Sequence, residues 1–143
     1  MYQGVGVFKV HHVSLSVSRL DRSIGFYSVF GFHQVFRWDA EDGTLSIAHL
    51  ALDGSILELF CFAKNADLLP GSGEVGNDLT MVGVKHFGLH VPSLEAAKSY
   101  LVKAGFDGGT DVAHGRTGID YFFVRDPDGL WMEIVEDHRQ LAV

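Results

Sequence analysis

Residues 12–17 read HVSLSV and residues 86–91 read HFGLHV, two strand-like runs that each begin with a histidine. Sliding the sequence against itself by 74 residues superimposes these runs and extends the match to Gly31 and Gly105. A repeat of this length is too long for a solenoid unit. It indicates a duplicated supersecondary module, and the two copies decide the expected fold.

Each copy is predicted to contain a strand, a helix and three further strands, from alternating apolar residues and from apolar residues at helical spacing. The first copy is expected to form a strand at 8–17, a helix at 19–30, and strands at 32–38, 44–52 and 55–62. The second is expected to form a strand at 84–91, a helix at 94–104, and strands at 106–113, 119–125 and 130–136. The predicted class is α+β, with two tandem β-α-β-β-β modules forming a cupped mixed sheet.

With 143 residues, the chain is long enough for one domain with a sizeable core, or for two small halves sharing one. We expect a single domain. It divides into module 1 at 7–62, a Gly- and Pro-containing linker at 63–82, module 2 at 83–136 and a tail at 137–143.

Composition excludes several classes of partner. The net charge is −7, and the eleven Lys and Arg residues are scattered, so neither nucleic acid nor an anionic membrane is an expected partner. The single cysteine, Cys61, cannot form an intrachain disulfide and fits a reducing compartment. Without a signal-like N-terminus or a membrane-length apolar run, a cytoplasmic location is expected.

Four strand-like runs each place one candidate metal ligand on the face opposite the one that is expected to pack on the helix. Alternation in 12–17 places His12 opposite to Val13 and Leu15, and the same count isolates a Glu or His in the other three runs. The separations within the two halves are 46 and 47 residues. The four candidates are His12, Glu58, His86 and Glu133.

A carboxylate among apolar neighbours is costly unless a cation or hydrogen-bond donors compensate it. One divalent ion would satisfy two carboxylates and two imidazoles together. A set of His and Glu donors suits Zn, Ni, Co, Mn or Fe rather than a soft thiolate site. Taken singly, each of these residues is as compatible with a structural role: a hydrogen-bonded core histidine, or a glutamate on a sheet edge.

The chain resembles the vicinal oxygen chelate superfamily, which includes glyoxalase I, extradiol dioxygenases and bleomycin-resistance proteins. The motifs that carry the resemblance are HHVSLSVSRLDRSIGFY (11–27), LELF (57–60), HFGLHV (86–91) and RDPDGLWMEIVE (125–136). The resemblance covers nearly the whole chain and is closest to glyoxalase I-like members. One scaffold serves many reactions, so the motifs are specific for the fold rather than for the chemistry.

By this resemblance, the four candidate ligands fall on the metal-binding positions of glyoxalase I-like members. The implied activity is a metal-dependent lyase or isomerase that moves a proton next to a carbonyl, with Glu133 as general base and then acid. Glu58 would hold the metal and could handle the proton on the opposite face. Most family members of this size form homodimers, so the resemblance implies a homodimer here. In the family, the ligands of one metal ion come either from one chain or from two.

The substrate is expected to be a small molecule, and a glutathione hemithioacetal is one candidate, with glutathione as cosubstrate. The segment after Glu58 lacks the Asn-containing continuation of glyoxalase I, which weakens that assignment. Two alternatives remain: a drug-binding or drug-modifying resistance protein, and an Fe-dependent extradiol dioxygenase. The candidate pocket residues are Arg37, Phe60, His90, Arg116, Tyr121, Phe123 and Trp131.

Overall fold

The computed structural model describes residues 8–67 and 79–142. The chain forms two compact units, one from Met1 to Ala66 and one from Asp67 to Val143. Within the described residues, each unit contains one four-stranded mixed sheet and one helix. The predicted α+β class with two β-α-β-β-β modules is confirmed.

The first unit has a parallel strand pair at one end of its sheet. It contains β1 (His12–Ser16), α1 (Leu20–Ser28), β2 (His33–Asp39), β3 (Leu45–Leu52) and β4 (Ser55–Phe62), with strand order β1-β4-β3-β2. Helix α1 connects β1 to β2, which lie at opposite edges of the sheet and run in the same direction. Strand β3 is antiparallel to β2, and β4 is antiparallel to β3, so β4 is parallel to β1 and pairs with it.

The second unit repeats this topology. It contains β5 (Phe87–His90), α2 (Leu94–Lys103), β6 (Ala113–His114), β7 (Asp120–Arg125) and β8 (Trp131–Glu136), with strand order β5-β8-β7-β6. Strands β5 and β8 are parallel, and the other pairs are antiparallel. Helix α2 begins after Ser93, whose Oγ accepts a hydrogen bond from the backbone N–H of Ala96 at 3.2 Å.

Each sheet has one face buried against its helix. In β4, Leu57 and Leu59 are buried, and α1 contacts β2, β3 and β4. In β8, Met132 and Ile134 are buried, and α2 contacts β7 and β8. Because side chains alternate along a strand, the residue between each buried pair lies on the other face. The predicted alternation in both strands is therefore correct.

The two helices end in the same way. Gly31 has φ 95° and Gly105 has φ 93°, a left-handed conformation that a residue without a Cβ adopts at little cost. After Gly31, the backbone N–H of Phe32 donates to the carbonyl of Tyr27 at 3.3 Å. This bond satisfies a carbonyl of the last helical turn, as is typical of a glycine at a helix end.

The first strand of each unit is shorter than predicted. β1 begins at His12 rather than at residue 8 because its pairing with β4 begins with His12 opposite Ile56, near the start of β4. β5 begins at Phe87 rather than at residue 84 for the same reason, since Phe87 pairs with Met132 near the start of β8. In both units the parallel partner strand, β4 or β8, begins too late in the chain to pair with the residues that precede β1 or β5.

The predicted strand at 106–113 is wrong, and β6 is only Ala113–His114. Gly108 and Gly109 have φ 84° and 76°, which breaks an extended chain. Nζ of Lys98, on α2, donates to the carbonyls of Gly108 at 2.7 Å and Thr110 at 2.5 Å. The carbonyls that a longer strand would offer to a neighbour are instead bound to the helix.

The boundary between the two units falls inside the predicted linker 63–82. Residues 68–78 of that linker, together with residues 1–7 and Val143, lie outside the described residues. Within the described part of the chain, neither helix is long and apolar enough to cross a membrane.

Candidate functional site

In the first unit, the structure brings His12 and Glu58 to one face of the sheet. The β1–β4 register places Ser14 opposite Glu58, and His12 lies two residues earlier in β1 with the same facing. Nε2 of His12 is 3.7 Å from Oε1 of Glu58. Oγ of Ser14 donates a hydrogen bond to the same oxygen at 2.8 Å.

A third residue, His49, contacts the Glu58 carboxylate from the other side. His49 in β3 pairs directly with Glu58, and its Nε2 is 2.7 Å from Oε2 of Glu58. His49 is not among the candidate residues predicted from the sequence. The two-residue turn Asp53-Gly54 predicts a tight hairpin with Leu52 opposite Ser55, and counting back along both strands from that turn pairs His49 with Glu58.

The environment of Glu58 favours its ionised form. The hydrogen bond from Ser14 lowers the pKa of Glu58 most, and the contacts with His49 and His12 lower it further, against the opposing effect of burial. The Glu58 side chain is only 17% exposed. This carboxylate is thus held as an anion among nitrogen and hydroxyl groups.

In the second unit, the structure brings His86 and Glu133 together. Nε2 of His86 is 2.9 Å from Oε2 of Glu133, and the Glu133 side chain is 15% exposed. The register places Gly88 of β5 and Phe123 of β7 opposite Glu133 on its two sides. The Phe123 ring meets the His86 ring edge-on at 5.0 Å.

A cavity of about 500 Å³ in the second unit contains this pair. Its walls combine three aromatic rings, two cationic side chains and one carboxylate. The lining residues are Leu79, Lys85, His86, Gly115, Arg116, Thr117, Ile119, Tyr121, Phe123, Trp131 and Glu133. Four of the predicted pocket residues therefore lie around one cavity: Arg116, Tyr121, Phe123 and Trp131.

The aromatic wall of this cavity is a continuous edge-to-face cluster. Phe123 lies 5.6 Å from Tyr121 and 5.9 Å from Trp131, measured between ring centroids, at steep angles. On Trp131, the guanidinium of Arg125 lies 4.4 Å from the ring centroid. These contacts fix the rings, so the wall has a defined shape for an apolar ligand.

The other three predicted pocket residues lie elsewhere. Arg37 in β2 is engaged by two carboxylates, at 3.0 Å from Asp39 and 3.1 Å from Asp21. Phe60 is half-buried in β4 of the first unit, and exposed His90 in β5 is not among the residues that line the cavity. Of the two arginines among the predicted pocket residues, Arg37 is thus less available to a ligand than Arg116.

The described residues contain no group of three or more His, Cys, Asp or Glu side chains arranged to hold a metal ion. Each unit considered by itself supplies one His and one Glu of the predicted four. These donors are the nitrogen and oxygen ligands that the first-row divalent ions accept.

Comparison with known proteins identifies the family. A family model described as the Glyoxalase/Bleomycin resistance protein/Dioxygenase superfamily matches residues 9–134. No curated protein matches the chain.

Solved structures give a similar result. The crystal structure of SMU.1112c superimposes on this chain with a TM-score of 0.76 and a sequence identity of 26%. The match covers 91% of this chain and 99% of that one. A glyoxalase/bleomycin resistance protein/dioxygenase domain from Frankia sp. EAN1pec is 25% identical, with a TM-score of 0.72 and coverage of 95% and 96%. The trypanothione-dependent glyoxalase I of Leishmania major shares the fold, at 21% identity and a TM-score of 0.60, over 90% and 86% of the two chains. Because the family model covers most of its length, the chain belongs to the Glyoxalase/Bleomycin resistance protein/Dioxygenase superfamily.

Proposed function

We propose that the protein is a metal-dependent lyase or isomerase of glyoxalase type, which moves a proton next to a carbonyl of a small substrate. The observation that carries this proposal is the matched pairing of His12 with Glu58 and of His86 with Glu133. The two pairs occupy equivalent positions in two units of the same topology. Duplication of the module accounts for the recurrence, and the His and Glu donors present in both copies are the types that a first-row divalent ion accepts.

The residues fit a divalent ion. All four side chains offer nitrogen or oxygen donors, and Glu58 is held as an anion, which is the form that ligates a metal. A Ni, Zn, Co, Mn or Fe ion bound by His12, Glu58, His86 and Glu133 would polarise the substrate carbonyl and acidify the adjacent C–H bond. The two pairs would come either from one chain or from two chains of a homodimer.

Glu133 is the proposed proton carrier. Its carboxylate lines the cavity beside His86, so a molecule bound there lies within reach of its oxygens. It would take the proton from the carbon next to the carbonyl and return it to the neighbouring carbon. The rings of Tyr121, Phe123 and Trp131 would exclude water from this step.

The same cavity suggests which substrates to test. Its aromatic wall suits an apolar group, and Lys85 and Arg116 suit an anionic one. The hemithioacetal of methylglyoxal and glutathione has both carboxylates and a small apolar group, and is the first substrate we would assay. Aromatic 2-oxoaldehydes with and without glutathione would show which part of the molecule the cavity selects.

A second candidate function is drug binding without catalysis, and the fixed aromatic wall is the observation that favours it. Elemental analysis of protein purified without chelators separates the possibilities. Stoichiometric Ni, Zn, Co or Mn that is lost in His12→Ala and His86→Ala supports the lyase or isomerase, and iron favours ring-cleaving dioxygenase chemistry. Absence of metal, even after incubation with excess ion, rejects the proposal in favour of drug binding.

A further inference from the structure

Both oxygens of the Glu58 carboxylate are held by protein donors. Oγ of Ser14 donates to Oε1 at 2.8 Å, and Nε2 of His49 lies 2.7 Å from Oε2. An ionised carboxylate only accepts hydrogen bonds, so Nε2 of His49 carries the hydrogen and donates it. With one donor on each oxygen, the carboxylate cannot rotate without breaking a hydrogen bond.

In the parallel strand pair of the second unit, the position equivalent to Ser14 has no donor. Gly88 lies opposite Glu133 in the β5–β8 pairing, as Ser14 lies opposite Glu58 in the β1–β4 pairing. A Cβ placed on Gly88 would meet Cβ of Glu133 at 3.8 Å, which is ordinary contact. The missing hydroxyl is therefore not a consequence of lack of space.

In the antiparallel pair of the second unit, the position equivalent to His49 also has no donor. Phe123 lies opposite Glu133 in the β7–β8 pairing, as His49 lies opposite Glu58 in the β3–β4 pairing. A phenyl ring cannot donate a hydrogen bond to a carboxylate. The two units thus share the His–Glu pair but differ in how the glutamate is held.

We infer that Ser14 and His49 are positioning residues that lock the Glu58 carboxylate and so determine how tightly the protein retains its metal ion. This inference rests on the proposed function, since it concerns one of the proposed ligands. Groups that hydrogen-bond to a metal ligand orient it, and their removal costs about 10–100-fold in metal affinity. A ligand that is already fixed also loses less conformational freedom when the ion binds.

The test compares the dissociation constants of Zn and Ni, measured by competition with a chromophoric chelator. His49→Phe copies the second unit at this position and is expected to weaken binding by about 10–100-fold. Ser14→Ala removes the other donor and is expected to weaken binding in the same direction. His49→Gln keeps an N–H donor and is expected to restore most of the affinity.

His33→Phe is the matched control, since it removes a histidine from the same sheet at a position in β2 opposite Ala51. His12→Ala is measured in parallel as the loss of a proposed ligand. Circular dichroism and thermal unfolding without metal identify any variant that fails to fold.

The outcomes are distinguishable. The inference is overturned if folded His49→Phe and Ser14→Ala bind the metal as tightly as the wild-type protein while His12→Ala loses metal affinity. In that case the proposed metal site still stands. A loss in His49→Gln as large as that in His12→Ala also overturns it, since His49 would then be a ligand itself. If His12→Ala binds as the wild-type protein does, the proposed metal site fails and the inference fails with it.

Discussion

Nε2 of His86 lies 2.9 Å from Oε2 of Glu133, although 47 residues separate them along the chain. The parallel pairing of β5 with β8 produces this contact, because Gly88 lies opposite Glu133 and His86 comes two residues before Gly88. The pair faces away from the helix-covered side of the sheet and lines the aromatic cavity. An imidazole and a carboxylate are therefore presented together to whatever the cavity binds.

Replacing Glu133 with Gln is expected to abolish turnover and leave the fold intact. The amide keeps the shape of the side chain but cannot take up a proton. Loss of a general base typically lowers the rate by about 10²–10⁴-fold. The quantity to compare is kcat, measured at saturating metal. Glu95→Gln, an exposed change in the first turn of α2, controls for the loss of one negative charge. Undiminished activity of Glu133→Gln with any accepted substrate would exclude Glu133 as the base.

Gly88→Ser tests whether Glu133 must lack a hydrogen-bond donor from the neighbouring strand in order to act as a base. The new hydroxyl would lie opposite Glu133, as Ser14 lies opposite Glu58, and a Cβ added at Gly88 would have its nearest neighbours at 3.7–3.8 Å, which leaves room for it. A donor on the carboxylate favours its ionised form and makes it a weaker base. We expect kcat to fall by about tenfold, for a barrier increase of about 1.4 kcal/mol. Metal affinity should be at least that of the wild-type protein, because the new donor also fixes a proposed ligand. An unchanged kcat would show that tethering Glu133 does not matter.

Much of this arrangement could be predicted from local sequence. The alternation around Glu58 and Glu133 and the glycines after each helix are encoded within a few residues, so the fold class, both helices and most of the strands follow from them. The family resemblance is confirmed by the match over residues 9–134. The roles of the four proposed ligands stay predictions.

The parts that were missed depend on pairing between strands. His49 is unremarkable in its own strand and becomes important only because the hairpin register sets it opposite Glu58. The predicted strand at 106–113 failed because Lys98, on a helix earlier in the chain, binds the loop carbonyls. Arg37 was predicted to line the pocket, but its guanidinium is held by two carboxylates. Of these contacts, only the His49–Glu58 pairing leaves a signal in residue spacing, through the two-residue turn at Asp53-Gly54.

Arg116→Ala tests whether the cavity recognises an anionic group. Arg116 lines the cavity together with Glu133 and is largely exposed there. For an acidic substrate, KM is expected to rise by about tenfold, or about 1.4 kcal/mol of lost binding, while a neutral analogue is little affected. Arg19→Ala, which precedes α1 and makes no side-chain cap, serves as the control for net charge. Equal effects on the acidic and neutral substrates would contradict this role.

Glu136→Gln is expected to change how stability depends on pH. Oε2 of Glu136 accepts a hydrogen bond from the backbone N–H of Leu94 at the start of α2, at 2.9 Å. That bond, followed by the contact with His138, lowers the pKa of Glu136 below its ordinary value. The stabilisation is therefore present above the pKa of the unfolded chain, about 4.3, and is lost as the pH falls through the lower pKa of the folded protein.

Urea unfolding of the wild-type and Glu136→Gln proteins at neutral pH and in acid, below the pKa of the unfolded chain, measures this effect. The free-energy difference between the two proteins should be clear at neutral pH and should shrink in acid, where the wild-type carboxylate also becomes protonated. Glu41→Gln, in the exposed β2–β3 turn, is the control for a change in surface charge. A difference that is the same at both pH values would show that the carboxylate does not stabilise the helix start.

Gly109→Ala is expected to be strongly destabilising because of both its backbone and its surroundings. Gly109 has φ 76°, and a Cβ there would collide with the carbonyl oxygen of Phe123 and lie 3.0 Å from Cδ2 of Phe122. Gly43→Ala is a close match, with φ 70° and no atom within 4 Å of the position that a Cβ would take. The left-handed backbone alone costs about 1–2 kcal/mol, which is the loss expected for Gly43→Ala. The clash should add about 1–3 kcal/mol for Gly109→Ala.

Because Phe123 forms a wall of the cavity, ligand binding should weaken together with stability in Gly109→Ala but not in Gly43→Ala. Equal unfolding free energies for the two variants, measured in urea, would mean that the loop at Gly109 moves away from β7 at little cost.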